Sequence, residues 1–194
     1  MARLSLTAQA QQILVARLSK GDAVIDATLG NGHDALFLAQ CVGATGFLFG
    51  FDIQAQAIAN TQQLLSQLVE QPFMQFMQSS HADMLDCIPE AFQGDIKAIM
   101  FNLGYLPGAD KNCMTQADST LTALNAAINI LAKGGVLTVM VYPGHAGGDL
   151  EAQAVAQWLC GLDANCYKVE CIASQSDKST APRLFVIDKR ADLL

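Results

Sequence analysis

Asp26, Gly30, Gly32 and Asp34 stand in the run Val24-Ile25-Asp26-Ala27-Thr28-Leu29-Gly30-Asn31-Gly32-His33-Asp34, and their types and spacing suit a small-molecule cradle. The apolar residues before Asp26 read as a short strand ending in a carboxylate. Gly30 and Gly32 permit backbone angles and a close ligand approach that a Cβ would block. Ala35-Leu36-Phe37-Leu38-Ala39 then reads as the start of a helix, whose first N–H groups have no partner inside the helix. Gly30-x-Gly32-x-x-Ala35 satisfies the dinucleotide fingerprint, and taken alone it allows an NAD-dependent oxidoreductase. Asp26 opposes that reading, because a carboxylate at the strand tip repels a pyrophosphate. It suits a ligand that carries an ammonium and a sulfonium.

Four further stretches carry polar chemistry in an otherwise apolar chain: Asp52-Ile53, His81-Ala82-Asp83, Asn102 to Lys111, and Pro143 to Gly148. Asp52 lies roughly 20 residues beyond the glycine turn, where an acid can accept both hydroxyls of a ribose. Asp34 and His33 fall in the first helical turn; the helix dipole favours an acid there in any case. His33 reads as a loop or packing residue.

The elements that must position these residues alternate. A helix is expected over 7–19 with Thr7 as its cap, then a strand at 23–28, a helix at about 33–41 and a strand at 47–53. A helix at about 54–69 stops at Pro72, and an alternating strand follows at 73–78. A strand at 96–102, a helix at about 118–132 ending at Lys133-Gly134-Gly135, a strand from Val136 to Tyr142 and a helix from Asp149 to about Leu162 continue the pattern. Strands near 167–173 and 184–188 close it around the loop from Ser174 to Arg183. Strands alternating with helices imply a doubly covered, mainly parallel sheet. The candidate residues then fall at the carboxyl ends of its strands, where such sheets bind ligands.

With 194 residues, 52% hydrophobic and 15% charged, the chain can bury one sizeable core. A single domain over 1–194 is expected. Its apolar runs are too short to span a bilayer, and its start shows no cleavable leader pattern, so a cytoplasmic protein without a membrane partner is expected. Six cysteines form no C-x-x-C pair; buried free thiols are expected, and no metal site. The net charge of −7 does not favour nucleic acid. Between Lys20 and Lys97 there are nine acidic residues and no Lys or Arg, so a polyanion would have to dock elsewhere.

Asp-x-x-x-Gly-x-Gly resembles the cofactor turn of class I S-adenosylmethionine (SAM) methyltransferases. Asn102-Leu103-Gly104-Tyr105 keeps the Asn and Tyr spacing of the Asn-Pro-Pro-Tyr loop of amino-group methyltransferases, without the prolines. Asp-Ala-Thr-Leu-Gly-Asn-Gly-His-Asp, Phe-Asn-Leu-Gly-Tyr-Leu-Pro-Gly-Ala-Asp-Lys and Tyr-Pro-Gly-His-Ala-Gly-Gly together resemble a small bacterial family long labelled rRNA methylase. That family includes the methyltransferase of 5-aminomethyl-2-thiouridine at the tRNA wobble position. The likeness covers nearly the whole chain. Two departures stand out: Ala35 replaces an expected Thr, and Ala181-Pro182 replaces a proline pair.

The resemblance implies a seven-stranded Rossmann-like sheet with one antiparallel strand near the C-terminus and helices on both faces. It implies SAM as cofactor, held by Asp26, Thr28, Gly30, Asn31, Gly32, Asp34, Asp52, Ile53, His81, Asp83, Asn102 and Gly104, with Asp83 accepting from the adenine amino group. It implies an anticodon-loop tRNA substrate whose amine is oriented by Asn102 and Tyr105; rRNA or another amine is the alternative. The amine must lose a proton before attack, with Asp110, His145 or water accepting it. Tyr105 or Tyr142 would stack on the base, and Lys111, Lys178 and Arg183 would hold the RNA backbone. The oligomeric state stays open between a monomer and a homodimer.

Overall fold

The computed structural model describes residues 4–104, 115–144, 147–174 and 180–191. In chain order these residues form α1 (Leu6–Val15), β1 (Ala23–Asp26), α2 (His33–Val42), β2 (Phe47–Phe51), α3 (Ala55–Leu65), β3 (Phe73–Met77), α4 (Met84–Cys87), β4 (Ile96–Asn102), α5 (Ala117–Ile130), β5 (Leu131–Val141), α6 (Gly148–Cys160), β6 (Tyr167–Ala173) and β7 (Arg183–Lys189). One seven-stranded sheet has the order β3-β2-β1-β4-β5-β7-β6. β7 runs antiparallel to both of its neighbours, and the pairings among β1 to β5 are parallel. This is the expected architecture, including its single reversed strand.

The period of two along each strand splits the core. Val24, Leu48, Ala98, Met100, Val136 and Val186 face one cluster, which α1, α2 and α3 cover through Leu14, Leu38, Val42 and Leu65. Ile25, Phe49, Ile99, Phe101, Leu137 and Ile187 face the other, covered by α4, α5 and α6 through Met84, Leu124, Ile130 and Val155. The strand-order reversal between β1 and β4 opens a crevice at the carboxyl ends, where two crossovers leave in opposite directions.

Several boundaries differ from the expectations. Ser5, not Thr7, caps α1: its Oγ accepts the Ala8 N–H at 3.1 Å. The helix stops at Val15, short of Ser19. α3 stops at Leu65, well before Pro72, with the Ser66 hydroxyl donating back to the Gln63 carbonyl at 2.8 Å. Lys133-Gly134-Gly135 does not end a helix but sits inside β5. The pairing steps from Ile96–Leu131 to Ala98–Val136, so β5 bulges there. The sequence pattern also passed over α4 and two single 3-10 turns, at His81–Asp83 and Glu90–Phe92. The cysteines are a correction. Cys41, Cys87, Cys160, Cys166 and Cys171 are free, and none is buried. Among the described residues no helix is long and apolar enough to cross a membrane.

Candidate active site

The ends of β1, β2, β4 and β5 surround one cavity of about 710 Å³, within the range of small-molecule sites. The glycine turn forms its floor. Gly30 and Gly32 have φ of 53° and 80°, so both need the left-handed region. The turn packs tightly from behind: a Cβ on Gly50 of β2 would meet the Leu29 Cδ2 at 2.5 Å.

A line of hydrogen bonds stitches the strand tips together. Asp26 Oδ1 accepts the Thr28 N–H at 3.0 Å. Thr28 Oγ1 accepts the Asn102 N–H at 2.8 Å. The Asn102 Nδ2 donates to Asp34 Oδ2 at 3.3 Å, and the Gln11 Nε2 of α1 donates to Asp34 Oδ1 at 3.3 Å. On the other flank, Asp52 Oδ2 accepts the Gly30 N–H at 3.0 Å and its Oδ1 accepts the Gln54 N–H at 2.9 Å. Each Asp52 oxygen keeps acceptor capacity beyond that one bond, which suits a vicinal diol. Ile53 beside it offers the cavity an apolar side chain that is 53% exposed.

Thr28, Gly30, Asn31, Asp34, Asp52, Ile53, His81, Asn102, Gly104 and Tyr142 all line this cavity. Asp26, Gly32 and Asp83 do not. Asp26 lies behind the turn, 1% exposed, and its Oδ2 has no partner. Burial, then the nearby Asp34 charge, raises its pKa from 3.8 to about 8. Asp83 is exposed and its carboxylate is held by the Ser79 hydroxyl. His81, in the same turn, is the residue that reaches the cavity. It is 7% exposed, its ring centroid is 5.6 Å from that of Phe101, and its Nε2 has no protein partner. Burial lowers its pKa, keeping the ring neutral. Burial, then Asp34, raises that of Tyr142. Arg183 is exposed at the start of β7, next to Pro182, which lines the cavity. Tyr105, Asp110, Lys111, His145 and Lys178 lie outside the described residues.

One functional neighbourhood escaped the sequence reading. Gly104 donates its N–H to Thr115 Oγ1 at 2.9 Å, and Thr115 returns its own N–H to the Gly104 carbonyl at 2.9 Å. Glu151 of α6, 3% exposed, accepts from Thr115 Oγ1 at 2.9 Å and from Thr120 Oγ1 at 2.7 Å. A buried carboxylate thus clamps the base of the loop that begins at Asn102.

Known proteins resemble this chain in sequence and fold. The family model described as "Putative rRNA methylase" matches residues 48–188. The chain belongs to that family. A chloroplastic tRNA (mnm5s2U34)-methyltransferase of Arabidopsis thaliana is 38% identical over 181 residues; the match covers 89% of this chain and 65% of that relative's length. The structure of a putative rRNA-methylase from Clostridium thermocellum is 35% identical with a TM-score of 0.89, covering 97% of this chain and all of that one. A putative methyltransferase from Streptococcus mutans, solved in complex with SAH, is 32% identical with a TM-score of 0.84 over 97% of this chain and 99% of that one. The fold is that of the Rossmann-like SAM methyltransferases.

Proposed function

We propose that this chain is a SAM-dependent methyltransferase that methylates the aminomethyl nitrogen of 5-aminomethyl-2-thiouridine at the tRNA wobble position. The observation that carries the reading is the placement of the Asn102 side chain. It stands at the tip of β4 on the cavity wall, where Thr28 Oγ1 accepts the Asn102 backbone N–H and Asp34 accepts from the side-chain Nδ2. With its Nδ2 given to Asp34, its Oδ1 remains the acceptor for a substrate amine. The similarity to a tRNA wobble-uridine methyltransferase supports this substrate class, and the SAH-bound relative supports the cofactor.

The residues fit the cofactor. Asp52 suits the ribose hydroxyls, Ile53 an apolar face of the base, His81 a polar edge of it, and the glycine turn the amino-acid portion. Asp26 shapes the turn through Thr28 rather than touching the ligand. SAM, when bound, supplies an electrophilic methyl group on a sulfonium. The chain's own task is positioning: the Asn102 acceptor aligns the nitrogen lone pair, and orientation is what displacement at a methyl carbon most needs. The amine must lose a proton before attack, with Asp110, His145 or water accepting it. A single-stranded anticodon loop can splay its base into such a crevice.

The test is methyl transfer from labelled SAM to tRNA from a strain lacking this gene, with mass analysis of the nucleosides. The expected product is the N-methylated aminomethyl thiouridine. A carbon- or ribose-oxygen-methylated nucleoside would overturn the amine reading, and methylation of rRNA but not of tRNA in a parallel assay would favour the activity in the family's description. Asn102→Ala should lower turnover far more than SAM affinity.

A further inference from the structure

We propose that the Asp34 carboxylate recognises the cationic amine of the substrate, oriented by Gln11 of α1 and Asn102 of β4. This rests on the amine reading above, and it moves Asp34 from the cofactor to the substrate.

An acid in the first turn of a helix is unremarkable by itself. The surroundings of this one are more specific. Both of its oxygens are bound by neutral amides, each at 3.3 Å. Among the described residues no Lys or Arg forms an ion pair with it. Asp52, which also lines the cavity, adds to the negative field of the pocket. A part-buried carboxylate fixed by two neutral donors, with no Lys or Arg paired to it among the described residues, is completed by a cationic ligand group.

Position separates the two cations on offer. Asp34 lines the main cavity and also a small crevice beneath α1, beside Thr7, Met140 and Leu184. These residues belong to α1, β5 and β7, on the half of the sheet opposite Asp52 and His81. The Tyr142 phenol, at the tip of β5, senses the Asp34 charge. Asp34 thus sits toward the β4–β5 side, where a base arriving past Asn102 would place its aminomethyl group. A neutral uridine would gain nothing there.

The experiment titrates two anticodon stem-loops into the protein with SAH present, one bearing the aminomethyl uridine and one the unmodified base. Wild type should prefer the amine-bearing RNA by about 10- to 100-fold. Asp34→Asn should erase that preference while leaving affinity for the unmodified RNA and for SAM unchanged. Gln11→Ala should reduce the preference with the carboxylate still present; a merely structural role would weaken both RNAs equally. The proposal fails if Asp34→Asn keeps the preference. It fails equally if the variant loses SAM affinity in calorimetry, because the carboxylate then serves the cofactor. A wild type without preference that still methylates another nucleoside removes the amine reading itself, a distinct result.

Discussion

The Asp52 carboxylate of the β2 end accepts the Gly30 N–H of the β1 turn at 3.0 Å, so the acid that suits the cofactor's ribose also fixes the glycine loop beneath it. Asp52→Ala should therefore remove a ligand contact and loosen the turn together. SAM affinity is expected to fall by about 1.5–3 kcal/mol, the range for a charge-assisted hydrogen bond. Asp26→Ala should cost less affinity and more stability, since Asp26 is behind the cavity wall. Calorimetry and thermal melting on both variants check this. Equal affinity losses without a stability difference would contradict it.

Asp26 also makes stability depend on pH. Its folded pKa is raised from 3.8 to about 8 by burial, then by Asp34 and Asp52. Between those values the folded protein keeps a proton that the unfolded chain has released. The contribution is complete below the unfolded value and is lost as pH rises through the folded one. The melting temperature of wild type should fall, relative to Asp26→Asn, as pH is raised from about 5 to about 9. A parallel course of the two curves would show that Asp26 does not titrate in this window.

Glu151 offers a third test. Glu151→Ala strands the Thr115 and Thr120 hydroxyls, and Thr120 is fully buried. The loss expected in urea denaturation is about 1–3 kcal/mol. Because Thr115 holds both backbone groups of Gly104, turnover should fall as well, with SAM affinity nearly intact. Glu151→Gln keeps one acceptor and should lie between. A stability loss with undiminished turnover would separate the clamp from the site.

How much of this could be read beforehand depends on range. The glycine turn and the alternation of elements are local patterns, so the sheet and the residues at its strand tips were legible. Glu151 was not: it follows Asp149 in a first helical turn, where acids usually face water. Only the packing of α6 on α5 buries it against two threonines distant in sequence. His81 and Asp83 show the same limit. Both follow β3, and a 3-10 turn decides which faces the cavity. The cysteines read as buried by type, yet Cys171 lies on β6, an edge strand whose residues are mostly exposed.

The last prediction concerns the RNA path. Two cation groups compete for it, and the fold already employs much of one. Arg17 of the N-terminal group is ion-paired with Asp188, and Lys20 donates to the Gln40 carbonyl at 2.7 Å. Lys189 is likewise tied to the Ile128 and Leu131 carbonyls, at 2.8 and 2.7 Å. Arg183 is differently placed. It is exposed where β7 begins, opposite Val141 of β5, and Thr180 and Pro182 just before it line the cavity. Lys111 and Lys178 lie outside the described residues, between β4 and α5 and between β6 and β7 in the sequence. Phosphate contacts show themselves in the dependence of affinity on salt. Replacing Lys111, Lys178 and Arg183 by Ala should weaken tRNA binding and flatten its salt slope by about one unit for each lost contact. Affinity for SAM should not change. Filter binding across a salt series, with calorimetry for SAM, reads both. If the triple variant keeps the wild-type slope while Arg17→Ala and Lys20→Ala flatten it, the RNA runs over α1 instead.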